Sequence, residues 1–154
     1  MFSFLKKHEK PLFEGLCDIH NHLLPGIDDG SKNIKTSSEM LHAFEALGFS
    51  STIPTPHIYK ELYPNTPETI KNAFDLLKQQ KELENSITIN SYAAEYMVDE
   101  IFMKNLEQSS PLLLLNDTYI LLEINFFGKT TMLKSCFTKA TLFPSVIVAR
   151  PYIR

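Results

Sequence analysis

"CDIHNHLLPGIDDGS", residues 17–31, ends a short apolar run on His-x-His and then sets two adjacent carboxylates in a glycine-flanked turn. Alternate side chains of an extended segment share a face, so His20 and His22 project together while Asn21 points elsewhere. With "GLCDIH" (15–20) as a short buried strand, the pair lies at its C-terminal end, where α/β folds place their active sites. Two neighbouring imidazoles can share one divalent ion. Asp28 and Asp29 repel each other unless a cation or a helix N-terminus lies close, which makes the loop a candidate third ligand. Taken singly, each feature has an ordinary reading: a core or surface histidine, or a solvated turn.

Outward from this stretch, strands and helices alternate. Met40, Leu41, Phe44 and Leu47 fall at helical spacing and predict a helix over 36–47, closed by Gly48. "FSSTIPT" (49–55) is a second strand candidate, in which Pro54 removes a ladder donor. Thr66 reads as an N-cap, with Pro67 at the first helical position and an apolar stripe of Ile70, Ala73, Phe74 and Leu77 behind it. "SITINSYAAEY" (86–96) predicts a third strand, "VDEIFMKNLE" (98–107) a short helix and "TYILLEINFF" (118–127) a fourth strand, apolar enough to be covered on both faces. A further helix over 129–139 and a strand in "PSVIVAR" (144–150) complete the series. Repeated βα units point to a parallel sheet with outer helices. A closed eight-unit barrel takes about 250 residues, so the expectation is a partial barrel or an open sheet.

Each later strand ends in a suitable ligand. "TIPTPH" delivers His57, "SYAAEY" delivers Glu95, and "YILLEI" delivers Glu123 inside an apolar run. A carboxylate between Leu122 and Ile124 is costly to bury unless it is paired or coordinated. A structural salt bridge is the ordinary reading for either glutamate. Histidines with carboxylates suit Mn, Fe or Zn better than Ca, and ions sharing carboxylates make a hydrolytic site.

Bulk properties bound the rest. The 154 residues, 44% hydrophobic and 21% charged, fit one globular domain. A net charge of -3 leaves no electrostatic footprint for nucleic acid. Residues 1–16 read as a packing arm, because the basic residues follow the apolar patch, the reverse of a signal peptide, and no run is long enough to span a bilayer. Two cysteines fit a reducing, cytoplasmic setting. Cysteine phosphatases need Arg six positions after the nucleophile, but Leu23 follows Cys17 and Leu142 follows Cys136 at that distance.

"DIHNHLLPGIDDGSK", "TPH", "AAEYMVDE" and "LLEINFF", in that order, resemble the polymerase-and-histidinol-phosphatase (PHP) superfamily. More narrowly they resemble its bacterial tyrosine-protein phosphatase branch, tied to capsular and exopolysaccharide synthesis. The resemblance runs from about Cys17 to Gly128. It implies a distorted barrel of seven βα units, of which this chain carries about five, in a single incomplete domain over 1–154. It also implies up to three divalent metal ions, usually manganese, held by His20, His22, Asp29, His57, Glu95 and Glu123, with Glu95 bridging. The implied reaction is hydrolysis of phosphotyrosine on a kinase that governs polymer export, with metal-activated water attacking phosphorus. A homo-oligomer is compatible with it. Another PHP phosphoesterase, such as a histidinol phosphatase, and an inactive remnant that only binds are the alternatives. The family's later His-Pro-Glu-Arg motif meets "ARPYIR" here: Arg150 stands for His, Tyr152 for Glu, and Arg154 lies one position off the phosphate-binding Arg. The expectation from that departure is a truncated or frameshifted reading frame or a short paralogue, with activity weak or absent unless a partner chain supplies the remainder.

Overall fold

The computed structural model describes residues 11–80, 87–124 and 136, and the backbone of Ser145–Ala149. In chain order the elements are β1 (Cys17–Asp18), α1 (Ile34–Leu47), β2 (Ser51–Thr52), β3 (His57–Ile58), α2 (Pro67–Lys78), β4 (Glu95–Met97), α3 (Glu100–Glu107), β5 (Tyr119–Glu123) and β6 (Ser145–Ala149). β1 pairs with β2, and β3, β4, β5 and β6 form a second ladder in that order, every pair parallel. This is the α/β pattern of parallel strands and helices that the alternation predicts. The two ladders do not close on each other among the described residues.

One stretch of backbone joins them. Residues 50–58 pair with the first strand through Ile53 N to Asp18 O and Thr55 N to Asn21 O, and with the fourth through Ala93 N to Pro54 O and Glu95 N to Pro56 O. Pro54 and Pro56 lack N–H groups, so they accept on one side and donate nothing on the other. The strand expected over 49–55 therefore contracts to β2, and regular pairing resumes as β3 only beyond Pro56. The first strand also ends earlier than expected, at Asp18, so His20 and His22 stand on irregular backbone just past it. The third strand contracts to Glu95–Met97, with Thr88 making only an isolated bridge to Ser51.

The helices follow their sequence signals closely. α1 starts two residues before the expected Thr36, because the Asn33 side chain accepts from Thr36 N and so acts as the N-cap. Thr66 caps α2 through a reciprocal box with Thr69, and Pro67 opens the first turn. Asp99 caps α3 by accepting from Phe102 N. The helix expected over 129–139 lies outside the described residues apart from Cys136, which is buried.

Helix and sheet faces meet in a core that includes Leu23, Leu24, Leu41, Ile70, Leu77, Ile120 and Leu122. Burying each such side chain contributes roughly 1.5–3 kcal/mol before the entropy of ordering it is counted. Beside α1, Phe13 stacks on Phe49 at 4.6 Å, and Phe13 N donates to Leu47 O. Gly48 makes that turn possible: its φ is +98°, and a Cβ there would sit 2.4 Å from the Cβ of Pro11. Gly48→Ala combines backbone strain with a clash. It should lower stability by about 1 kcal/mol or more, read as a fall of about 3 °C in the thermal midpoint.

Candidate metal centre

The site is built at one end of the sheet, where, against the expectation that each later strand ends in its ligand, only Glu123 closes a strand. His57 opens β3, Glu95 opens β4 and Glu123 closes β5, while His20 and His22 lie just beyond β1 and Asp28 and Asp29 in the following turn. Parallel pairing sets His57 beside Glu95 and Met97 beside Glu123, bringing all three functional side chains to one end of the ladder. Asn21 turns away from the two histidines, as alternation predicts. Its amide donates to Asp18 Oδ1 at 3.0 Å and Thr52 Oγ1 at 2.7 Å, pinning the His-x-His segment to the first ladder.

Glu95 lies at the bottom, 2% exposed. Its Oε1 is 3.1 Å from His20 Nε2, and its Oε2 is 3.4 Å from His22 Nε2 and 3.3 Å from His57 Nδ1. His57 Nδ1 also approaches Glu123 Oε2 at 3.4 Å, and its Nε2 approaches Asp29 Oδ1 at 3.5 Å. Asp28 Oδ2 lies 2.8 Å from His22 Nδ1. Tyr63 stacks on His57, ring centroids 5.3 Å apart, and forms a wall of the site.

Three overlapping groups of ligand atoms result: His20, His22 and Glu95; His22, Asp29 and His57; and His57, Glu95 and Glu123, each within 4.8 Å. All six residues that the sequence nominates for metal, His20, His22, Asp29, His57, Glu95 and Glu123, stand in this cluster. Arg154, Arg150 and Tyr152 lie outside the described residues. His57 Nδ1 and Glu95 Oε2 are buried and make no hydrogen bond of proper geometry, although they face each other. Buried polar atoms without partners are rare and costly, so two of them aimed at one point suit a bound cation. Donors of this type, imidazole with carboxylate, match transition metals rather than Ca.

The charges follow from the packing. Burial alone would hold the His22 imidazolium down, but Asp28 and Glu95 overcome it and raise His22 to about 10. Burial would likewise push the Glu95 carboxyl up, but the His20 and His22 imidazoles beside it, with the charge of His57, bring it down to about 2. Asp28 is lowered in the same way, chiefly by His22 against its own burial. Protons thus do in the metal-free chain what cations would do in a loaded one.

A parallel α/β fold that gathers three histidines and three carboxylates at one end of its sheet has the makings of a metal centre. Residues 16–144 match the family model described as capsular polysaccharide synthesis, CpsB/CapC. The chain belongs to the CpsB/CapC family. It is 34% identical over 112 residues to the tyrosine-protein phosphatase YwqE of Bacillus subtilis, covering 72% of this chain and 44% of that protein. It is 31% identical over 80 residues to CapC of Staphylococcus aureus, covering 52% of this chain and 31% of that one. A crystal structure from work on YwqE and on CpsB of Streptococcus pneumoniae, described as unique metal-dependent tyrosine phosphatases, superposes with a TM-score of 0.71 at 29% identity. That match covers 86% of this chain and 54% of the other. The chain thus spans half or less of the length of the curated relatives it matches.

Two predictions follow from the geometry. An alanine Cβ at Gly30 would lie 2.2 Å from both His22 Cβ and His22 O, so Gly30→Ala must displace His22. Titration with Mn2+ should show weaker binding in that variant, by about tenfold or more. Second, stability of the chelator-treated chain should peak between about pH 4.5 and 6.5. The raised His22 contributes fully below its ordinary value of 6.5 and loses that contribution as pH climbs through about 10. The lowered Glu95 contributes above its ordinary 4.5 and loses it as pH falls through about 2. Urea melts across pH would read both edges, and added Mn2+ should extend stability upward, because cation and proton compete for His22 Nε2.

Proposed function

We propose that this chain carries a divalent-cation centre and hydrolyses phosphotyrosine on proteins. The observation that carries it is the three interlocked ligand groups, with His57 Nδ1 and Glu95 Oε2 buried and unbonded at their centre. His20, His22, Asp29, His57, Glu95 and Glu123 are the proposed ligands, with Glu95 touching two of the groups and Mn the proposed ion. The family and the descriptions of YwqE and CpsB support the tyrosine phosphatase reading. The proposed partner is the phosphorylated tail of a tyrosine kinase in capsule synthesis, and the proposed setting is the cytoplasm. No helix among the described residues is long and apolar enough to cross a membrane. The strand order fits part of a larger βα barrel, with 1–154 as one domain and 1–16 as its arm.

When bound, the cations would supply Lewis acidity, activating water and neutralising phosphoryl oxygens. The chain's own side chains shape the approach. His20 and Asp29, with side chains 42% and 34% exposed, stand at the mouth, while Glu95 is closed off beneath them. A phosphoryl group therefore enters from the His20 and Asp29 side and meets the buried ligands at depth. Tyr63 backs His57 against the wall and keeps the imidazole from rotating away.

With Mn2+, the chain should release phosphate from phosphotyrosine peptides in preference to phosphoserine peptides and histidinol phosphate. Chelation should abolish turnover, and Glu95→Gln should reduce kcat by about a hundredfold or more. Preferential cleavage of histidinol phosphate would move the chain to that activity. Cation binding without turnover on any of these substrates would overturn the catalytic half of the proposal.

A further inference from the structure

Asp28 is the one carboxylate of the cluster that belongs to none of the three ligand groups. Its side chain is 0% exposed, yet it does not face the other donors. Oδ2 accepts from His22 Nδ1 at 2.8 Å and from the backbone N–H of His57 at 3.1 Å. Oδ1 accepts from Gly30 N at 3.0 Å. Both oxygens are thus engaged from behind, and the group reaches two of the nominated ligand residues at once: one by its ring, the other by its main chain.

We infer that Asp28 is a positioning residue that holds the His22 ring with Nε2 turned toward the cation site and locks the first residue of β3 in place. The inference rests on the metal-centre reading above. A carboxylate on the far nitrogen of a ligand imidazole fixes its tautomer and its orientation and raises its basicity. Here that arrangement leaves Nε2 facing Glu95 Oε2 at 3.4 Å. The adjacent aspartates therefore divide the work: Asp29 faces His57 Nε2 across the site, whereas Asp28 stands behind His22. Three donors converge on Asp28, so an amide cannot replace it without setting one N–H against another. Asp28→Asn keeps the size of the side chain and loses both its charge and one acceptor.

The test compares the wild-type chain, Asp28→Asn and Ser37→Ala. Ser37 Oγ donates to Leu23 O at 2.8 Å and contacts Ser31 Oγ at 2.7 Å, beneath the same loop, without touching any nominated ligand. Titration with Mn2+ should show 10–100-fold weaker binding for Asp28→Asn, roughly the range for lost outer partners of metal ligands. Ser37→Ala should lose stability and keep its affinity within about twofold, since distant effects add independently. In the Zn2+-loaded wild type, isotope-edited NMR should show His22 protonated at Nδ1, with that proton shifted downfield by a carboxylate hydrogen bond. This reading needs no variant, so it stands even where Asp28→Asn fails to fold. A wild type that binds Mn2+ while Asp28→Asn binds equally well, or a His22 protonated at Nε2 and ligating through Nδ1, overturns the role of Asp28 alone. A wild type that takes up no Mn2+ overturns the metal-centre reading, and this one with it.

Discussion

A carboxylate closed off from water at the bottom of a sheet end is the constraint around which this structure is arranged. Glu95 is 2% exposed, in a strand that runs on through Tyr96 and Met97, both buried. An ionised group in that position costs several kcal/mol unless opposite charge surrounds it. Three imidazoles do so, from two separate segments of chain, and each lies within 3.4 Å of it. No local stretch could have supplied them. The site thus exists only because the fold brings His20 and His22, His57 and Glu95 to one rim, and the fold in turn must keep that rim in register.

Register is kept by backbone rather than by side chains. Residues 50–58 bond to the first strand on one edge and the fourth on the other, and the alternating prolines at 54 and 56 let each edge be used without a surplus donor. A slip of one residue would turn His57 from the site to the helix side, because side chains alternate. The carbonyls of Pro54 and Pro56 accept from Ala93 and Glu95, so the residue that sets the register is the buried carboxylate's own neighbour in the ladder. Asn65 adds a second restraint by donating to His57 O at 2.9 Å and Ile27 O at 2.8 Å, tying the start of β3 to the loop before Asp28.

Much of this was legible in the chain, for reasons that differ by element. The helices were readable because caps are local chemistry: Thr66 with Pro67, and Gly48 past Leu47, mark ends that tertiary contacts do not override. The ligands were readable because a glutamate inside "YILLEI" or after "YAA" conflicts with its surroundings unless something compensates it. The strands were less so. "SITINSYAAEY" alternates well, but ahead of Glu95 it bonds to residues 50–54 only intermittently, at Thr88 and Ala93, since a ladder depends on its neighbour and periodicity does not report one. The break in the ladder at Pro54 was signalled by the proline itself, whereas its outcome, two ladders sharing one segment, depends on partners far along the chain. The division of labour between Asp28 and Asp29 could not be read from the residues themselves; only the family resemblance singled out Asp29. Two identical adjacent side chains differ only in the direction the turn gives them.

That division matters to the charge of the site. Asp28, Asp29, Glu95 and Glu123 face His20, His22 and His57, so the seven groups remain one positive charge short of balance even with every imidazole protonated. Protonating all three is itself costly, because His22 and His57 lie with ring centroids 4.4 Å apart and like charges so close repel. Cations resolve both difficulties together: they supply positive charge to the carboxylates and require the imidazoles to be neutral. A cation held there would also give partners to His57 Nδ1 and Glu95 Oε2, which make no hydrogen bond in its absence. Electrostatic balance, hydrogen-bond accounting and ligand chemistry therefore point to the same occupant. A single divalent ion would reverse the sign of the remaining charge only if the imidazoles stayed protonated, which coordination forbids. With neutral imidazoles the four carboxylates can balance two divalent ions, and the overlap of the three ligand groups through His22, His57 and Glu95 is the geometry that allows such ions to share their ligands.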